Sequence, residues 1–214
     1  MIPDVKICGI TTAAALDAAI AAQATHVGLN FYPPSPRFVD IGTATALAGR
    51  AAGRITLVGV FVEPTDQELA VAIESKKLDA IQLHGEESPG RVAEIRRGFG
   101  LPVWKALPVS NADDVASALR YDQVADFLLF DAKTPKGSAL PGGMGLTFDW
   151  SLLQNYRGSL PWGLAGGLTP ATVHDAVRET RTSLLDTSSG VESAPGVKDV
   201  DLIRAFCEAA RTAG

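Results

Sequence analysis

Short apolar runs recur along the chain, each bounded by glycine, proline or polar residues, and stretches between them repeat apolar positions at helical spacing. The runs Asp4 to Cys8, Thr25 to Phe31, Thr56 to Phe61, Ala80 to Leu83, Val103 to Ala106, Asp126 to Phe130, Trp162 to Ala165 and Ser183 to Asp186 read as strands. Their starts lie 21 to 36 residues apart, room for a connection and usually a helix after each strand. Alanine and leucine alternating with polar positions predict helices over Thr12 to Ala22, Pro64 to Lys76 and Val200 to Thr212. Less regular patterns predict further helices over Gly42 to Arg50, Pro89 to Arg96, Asp113 to Arg120 and Pro170 to Val177, with a short one at Trp150 to Gln154. Ser88 and Asn111 fall in cap positions, and Pro89 suits a first helical turn, where its missing N–H costs nothing.

Eight βα units in series predict an α/β protein of one fold class, a compact TIM (β/α)8 barrel with eight parallel strands surrounded by helices. An open doubly wound sheet fits the count less well. Two smaller α/β domains would need a linker, and the long polar, glycine- and proline-rich segment, Thr134 to Gly145, reads better as a mobile lid over a site. The expectation is one catalytic domain over residues 1–214, about 27 residues per unit.

Composition narrows the function classes. Hydrophobic residues make up 46% and charged residues 20% of the 214, which excludes extended disorder. A net charge of -5 removes any broad case for binding nucleic acid while leaving room for a local phosphate pocket. No segment approaches the roughly 18 to 20 apolar residues that cross a bilayer, so no membrane partner is expected. The N-terminal residues lack a secretory pattern, and two cysteines, Cys8 and Cys207, make no disulfide framework or zinc spacing, so a cytoplasmic protein with reduced thiols is expected. A monomer is favoured, with a homo-oligomer as the other possibility.

On a barrel of this kind, reactive groups gather at the C-terminal strand ends. Cys8 closes the first strand, Arg37 sits in the proline-rich loop after the second, and His84-Gly85 follows the fourth. Asp131 ends the sixth, Gly166-Gly167 follows the seventh, and Asp186 ends the eighth before Ser188-Ser189-Gly190. Loops after strands seven and eight commonly bind phosphate through backbone N–H groups; Gly166, Gly167, Ser189 and Gly190 fit that use, although a glycine pair alone also marks a tight turn. Cys8 alone reads as a small buried hydrophobe, but at a strand end a base or nucleophile is open to it; Lys6, two residues earlier, points to the same side. Asp131 reads as a loop cap or an acid, His84 as a structural hydrogen-bonding residue or a pocket group, and Arg37 as a surface charge or a carboxylate clamp. A thiol and a carboxyl group at one mouth form an acid/base pair for a small substrate.

These residues sit within an ordered series of motifs: Lys6-Ile7-Cys8-Gly9-Ile10-Thr11, Ser35-Pro36-Arg37, Val58-Gly59-Val60-Phe61 and Gln82-Leu83-His84-Gly85. Phe148-Asp149-Trp150, Leu164-Ala165-Gly166-Gly167-Leu168, and Asp186 through Glu192 with Pro195-Gly196 and Lys198-Asp199 complete it. Across nearly its full length the chain resembles the phosphoribosylanthranilate isomerase family of tryptophan biosynthesis.

The resemblance implies conversion of N-(5-phospho-β-D-ribosyl)anthranilate to 1-(2-carboxyphenylamino)-1-deoxy-D-ribulose 5-phosphate, an Amadori-type rearrangement with no cofactor and no metal. It implies that Asp131 is the general acid that opens the furanose ring and that Cys8 is the general base that removes the ribose C2 proton. It further implies that Arg37 binds the anthranilate carboxylate and that Gly166, Gly167, Ser189 and Gly190 hold the phosphate. Asp186 would lie near the sugar hydroxyls, and His84 would line the pocket. Two positions depart from the family pattern: Met144 in Gly142-Gly143-Met144-Gly145, and Asn30 where an apolar residue is common. Asn30 would meet substrate or bond the loop backbone. Activity on a related aminoaldose phosphate and a nonenzymatic phosphate-binding barrel are the alternatives. Metal-dependent epimerases and indole-forming synthases share the scaffold but call for His/Asp ligand sets or Lys/Glu groups in place of the Cys8/Asp131 pair.

Overall fold

Parallel strands buried on both faces need near-continuous apolar sequence, and the expected runs supply it. The computed structural model describes residues 2–76, 78–134 and 145–214. Within it, β1 (Asp4–Cys8), β2 (His26–Asn30), β3 (Thr56–Phe61), β4 (Ala80–Leu83), β5 (Val103–Val109), β6 (Phe127–Ala132), β7 (Trp162–Leu164) and β8 (Leu184–Thr187) pair in sequence order into a closed barrel. Closure comes from β8 lying parallel to β1, with Lys6 registered beside Asp186 and Ile7 beside Thr187. The helices around the barrel are α1 (Ala13–Ala21), α2 (Ile41–Ala51), α3 (Asp66–Lys76), α4 (Pro89–Phe99), α5 (Ala112–Ala116), α6 (Val173–Thr180) and α7 (Val200–Thr212).

Capping chemistry sets several helix starts. Side-chain oxygens of Thr12, Asp40, Ser88, Asn111 and Asp199 accept backbone N–H groups of the first turns of α1, α2, α4, α5 and α7. Pro89 opens α4, and Gly100 at φ 65° ends it.

Differences from the expected boundaries have local causes. Both β5 and β6 run beyond their apolar cores, because their ladder continues through the pairs Pro108–Asp131 and Val109–Ala132. Asp131 is therefore a strand residue, one position before the strand end. The helix expected over Asp113 to Arg120 is α5 followed by a 3-10 turn at Ser117–Tyr121, where the Tyr121 hydroxyl donates to the Glu87 carbonyl at 3.0 Å. In α6 the start moves from Pro170 to Val173, since Thr169 and Thr172 form a turn of their own (Thr172 N to Thr169 O, 3.0 Å). A 3-10 helix at Trp150–Asn155 matches the short helix expected there. An antiparallel pair, β9 (Glu192–Ala194) and β10 (Val197–Lys198), was not expected.

Two kinds of filling divide the interior. Val58, Ala80, Trp104, Ala106, Leu129, Ala165 and Leu184 form an apolar plug inside the barrel, while a larger shell joins the outer strand faces to the helices. The buried polar side chains include Lys6, Gln82, Asp131 and Asp186, all on strands. Two of them, Asp131 and Asp186, line a cavity shared with the loops that follow the strands.

Candidate active site

Strand alternation puts Lys6 and Cys8 on the same face of β1. The β1–β8 register sets Lys6 beside Asp186, and the fully buried Lys6 ammonium pairs with Oδ1 of Asp186 at 3.0 Å. On the other side Cys8 is registered with Gly28 of β2, where an added Cβ would lie 2.8 Å from the Cys8 sulfur and 3.3 Å from Lys6 Nζ. Gly28 thus leaves the space in which thiol and ammonium meet. Burial pushes the Cys8 thiol up; Lys6 pulls it down, Asp186 pushes it further up and Lys198 pulls it down, and the net direction is upward. Burial alone would lower the Lys6 ammonium, but Asp186 and Cys8 outweigh it and raise it.

Across the barrel, Asp131 accepts the Ala132 N–H on Oδ1 at 2.8 Å and faces His84 Nε2 through Oδ2 at 3.2 Å. His84 Nδ1 lies 3.0 Å from Gln82 Nε2. With the amide donating, Nδ1 accepts and Nε2 carries the hydrogen that meets Asp131. The three side chains form a line from β4 to β6, and Gln82 Oε1 is buried without a hydrogen-bond partner among the described residues.

Arg37 enters from the loop after β2. Its Nε and Nη2 reach the two oxygens of Glu192 at 2.8 Å each, a bidentate contact that fixes the guanidinium plane. Lys198 binds the same carboxylate at 2.6 Å and also donates to the Ser188 carbonyl at 2.9 Å, while the Ser188 hydroxyl donates to the Cys8 carbonyl at 3.1 Å. The β9–β10 hairpin therefore braces both Arg37 and the loop after β8. Asn30 braces the other side: its Oδ1 accepts the Tyr32 N–H at 2.9 Å and its Nδ2 reaches Ser35 Oγ, which accepts the Arg37 N–H. Asn30 bonds the loop and also lines the cavity. Met144 and residues 135–144 of the expected lid lie outside the described residues.

The glycines are needed by packing in their own right. A Cβ on Gly190 would sit 1.9 Å from the Leu168 carbonyl oxygen, locking the loop after β8 against the loop after β7. Gly166, at φ +91°, lies against Ala132 N, and Gly167, at φ +62°, lies against the carbonyls of Leu146 and Gly145. Ser189 and Gly190 begin a 3-10 turn, Ser189–Val191, whose first N–H groups have no partner within the turn.

One cavity is lined by Cys8, Arg37, His84, Asp131, Gly166, Gly167, Asp186, Ser189 and Gly190, so every candidate residue reaches the same mouth. Among the described residues, no His, Cys, Asp or Glu group is arranged to hold a metal ion, and no helix is long and apolar enough to cross a membrane. The sequence reading overlooked how Gln82, Glu192 and Lys198 support the site. The available signal was an amide or a charge set in or beside an apolar strand.

Fold and site together define a (β/α)8-barrel protein with a cavity at the C-terminal mouth that brings a thiol, carboxyl groups and an arginine together. The family model described as N-(5'-phosphoribosyl)anthranilate (PRA) isomerase matches residues 5–209. An N-(5'-phosphoribosyl)anthranilate isomerase from Rhodopseudomonas palustris (strain BisA53) is 55% identical over 208 residues, 97% of this chain and 95% of that one. The chain belongs to the PRA isomerase family. Among solved structures, phosphoribosyl anthranilate isomerase from Thermotoga maritima matches with TM-score 0.87 and 35% identity, covering 98% of this chain and 99% of that one. A phosphoribosyl anthranilate isomerase in complex with reduced 1-(o-carboxyphenylamino)-1-deoxyribulose 5-phosphate matches with TM-score 0.84 and 33% identity, covering 98% and 99%.

Proposed function

We propose that this enzyme isomerises N-(5'-phosphoribosyl)anthranilate to 1-(2-carboxyphenylamino)-1-deoxyribulose 5-phosphate, with Asp131 as general acid and Cys8 as general base. The observation that carries the reading is that Cys8 and Asp131 line one cavity in a member of this family. Asp131, in its carboxylic acid form, gives its proton to the ribose ring oxygen as the C1–O bond breaks and the anilino nitrogen's lone pair forms an iminium. The Cys8 thiolate then takes the C2 proton, the C–H electron pair forms a C1–C2 double bond, and the iminium pair returns to nitrogen. The resulting enolamine loses its hydroxyl proton and gains one at C1, giving the ketone. Each step moves protons between side chains and substrate.

The supporting groups divide the remaining work. The ammoniums of Lys6 and Lys198 both favour the thiolate and offset part of the cost of burying it. His84 holds the Asp131 carboxyl in direction through its Nε2 contact. Arg37, its plane set by Glu192, is the cation for the anthranilate carboxylate, and the cradle of Gly166, Gly167, Ser189 and Gly190 takes the phosphate. Asp186 faces the sugar hydroxyls. Two anchors of opposite placement orient the ribose between acid and base.

The test is a direct spectroscopic assay on freshly generated phosphoribosylanthranilate. Turnover by the native protein is expected, with Cys8→Ser and Asp131→Asn each lowering kcat/KM by roughly 10² to 10⁴-fold, the range of one general acid or base. Arg37→Ala should raise KM more than it lowers kcat. Absence of native turnover overturns the reaction, and unchanged turnover in either of the first two variants overturns that residue's role.

A further inference from the structure

Outside the cavity, in the layer between barrel and helices, a lysine and a glutamate are buried together with no part in the proton transfers. Lys105 lies on β5 with its neighbours Trp104 and Ala106 in the barrel plug, so its own side chain points outward. It is 1% exposed and Glu87 is 5% exposed. Lys105 Nζ contacts Glu87 Oε2 at 3.1 Å, the Gly85 carbonyl at 2.7 Å, the Ala106 carbonyl at 2.8 Å and the Leu83 carbonyl at 3.4 Å. Glu87 in turn accepts the N–H groups of Glu63 at 2.8 Å and of Gly85 at 3.0 Å. Tyr121 closes the cluster, its ring 6.0 Å from the ammonium.

Desolvating two charges is costly, and a pair of apolar residues would fill such a space at least as stably. What the charges supply is direction. Two of the three carbonyls that share the Lys105 ammonium belong to Leu83 and Gly85, the residues immediately before and after His84. The His84 N–H is itself fixed to the Phe61 carbonyl at 2.8 Å. Gly85 must be glycine for this arrangement, because a Cβ there would lie 2.8 Å from Glu87 Oε1.

We propose that the buried Lys105–Glu87 pair is the positioning device for His84, clamping the backbone on both sides of that residue so that its Nε2 stays against Asp131. The inference rests on the role given above to the His84–Asp131 contact. Lys105 and Glu87 are positioning residues, since neither lines the cavity.

The test uses Lys105→Met and Glu87→Gln, each alone and in a His84→Ala background, with thermal melting as a folding control and 15N spectra of the His84 ring at fixed pH. Should Lys105→Met fail to fold, Glu87→Gln carries the test, because it keeps the shape and removes the charge. The native protein should show one His84 ring nitrogen protonated and the other not. In each folded variant that fixed tautomer should be lost and kcat should fall at least about tenfold, below the ~10²-fold cost of a 1 Å misplacement, with KM changing less. In the His84→Ala background the same replacements should cost nothing further. Full additivity in that background, or an unchanged His84 ring in a folded variant, overturns the positioning role. If His84→Ala by itself leaves kcat intact, the catalytic use of the His84–Asp131 contact fails instead, and the ring spectra still decide whether Lys105 and Glu87 hold it.

Discussion

Cys8 sits where burial works against the base it is proposed to be. Burial raises its pKa despite the ammoniums of Lys6 and Lys198, so activity that depends on the thiolate should climb as pH rises. The rising limb of kcat/KM should therefore lie above the ordinary cysteine range, and Lys198→Met should move it further up; a pH-rate profile of both proteins checks this. Gly28 is the residue that makes the arrangement sterically possible. Gly28→Ala should displace the thiol, lower kcat at least tenfold by the same misplacement argument, and destabilise by about 1–3 kcal/mol through overpacking. Stopped-flow or steady-state kinetics beside a denaturant titration would read both effects. Cys8 and Asp131 were legible in the sequence as cavity residues because a reactive side chain at a strand end stands out against an apolar run, and Arg37 because prolines on its N-terminal side restrict its loop. Lys105 and Glu87 were not, since a lone lysine or glutamate reads as a solvated charge until its partner is known.

Elements were legible to the extent that their signal is local. Apolar strand cores and caps at Ser88 and Asn111 depend on near neighbours, and they appear as expected. β6 runs one residue past its expected end at Asp131 because a strand's end is decided by the adjacent strand, here β5 with Val109 opposite Ala132, which a single run does not reveal. The β9–β10 hairpin escaped notice because its stabilising partners, Arg37 and Ser188, come from elsewhere in the chain. That hairpin carries a pH prediction. Burial pushes Glu192 up, but hydrogen bonds and charge from Arg37 and Lys198 outweigh it and hold its carboxyl below the usual glutamate range. Its stabilising contribution is full above the unfolded glutamate pKa and is lost as pH falls through the lowered folded value. Melting temperature should thus drop on acidification through that window, and Glu192→Gln should show a shallower drop, as calorimetry across the acid range would record.

The whole molecule is a ring, and its seam is polar. Lys6 and Asp186 meet where the first and last strands close the barrel, 180 residues apart in sequence. Lys6→Met leaves a buried carboxylate unpaired and should destabilise by about 3–5 kcal/mol, whereas Lys6→Met with Asp186→Leu should recover much of that loss. Urea unfolding of the two variants compares them, and neither should turn over substrate at the native rate. The same seam orders events in time. During synthesis the thiol of Cys8 emerges 180 residues ahead of Ser188 in the loop after the strand that completes the ring, and the ammonium of Lys198 follows later still. A growing chain holds the proposed base long before it holds the setting for that base, so catalytic competence should switch on in one step when the closing strand and the Lys198 hairpin dock together.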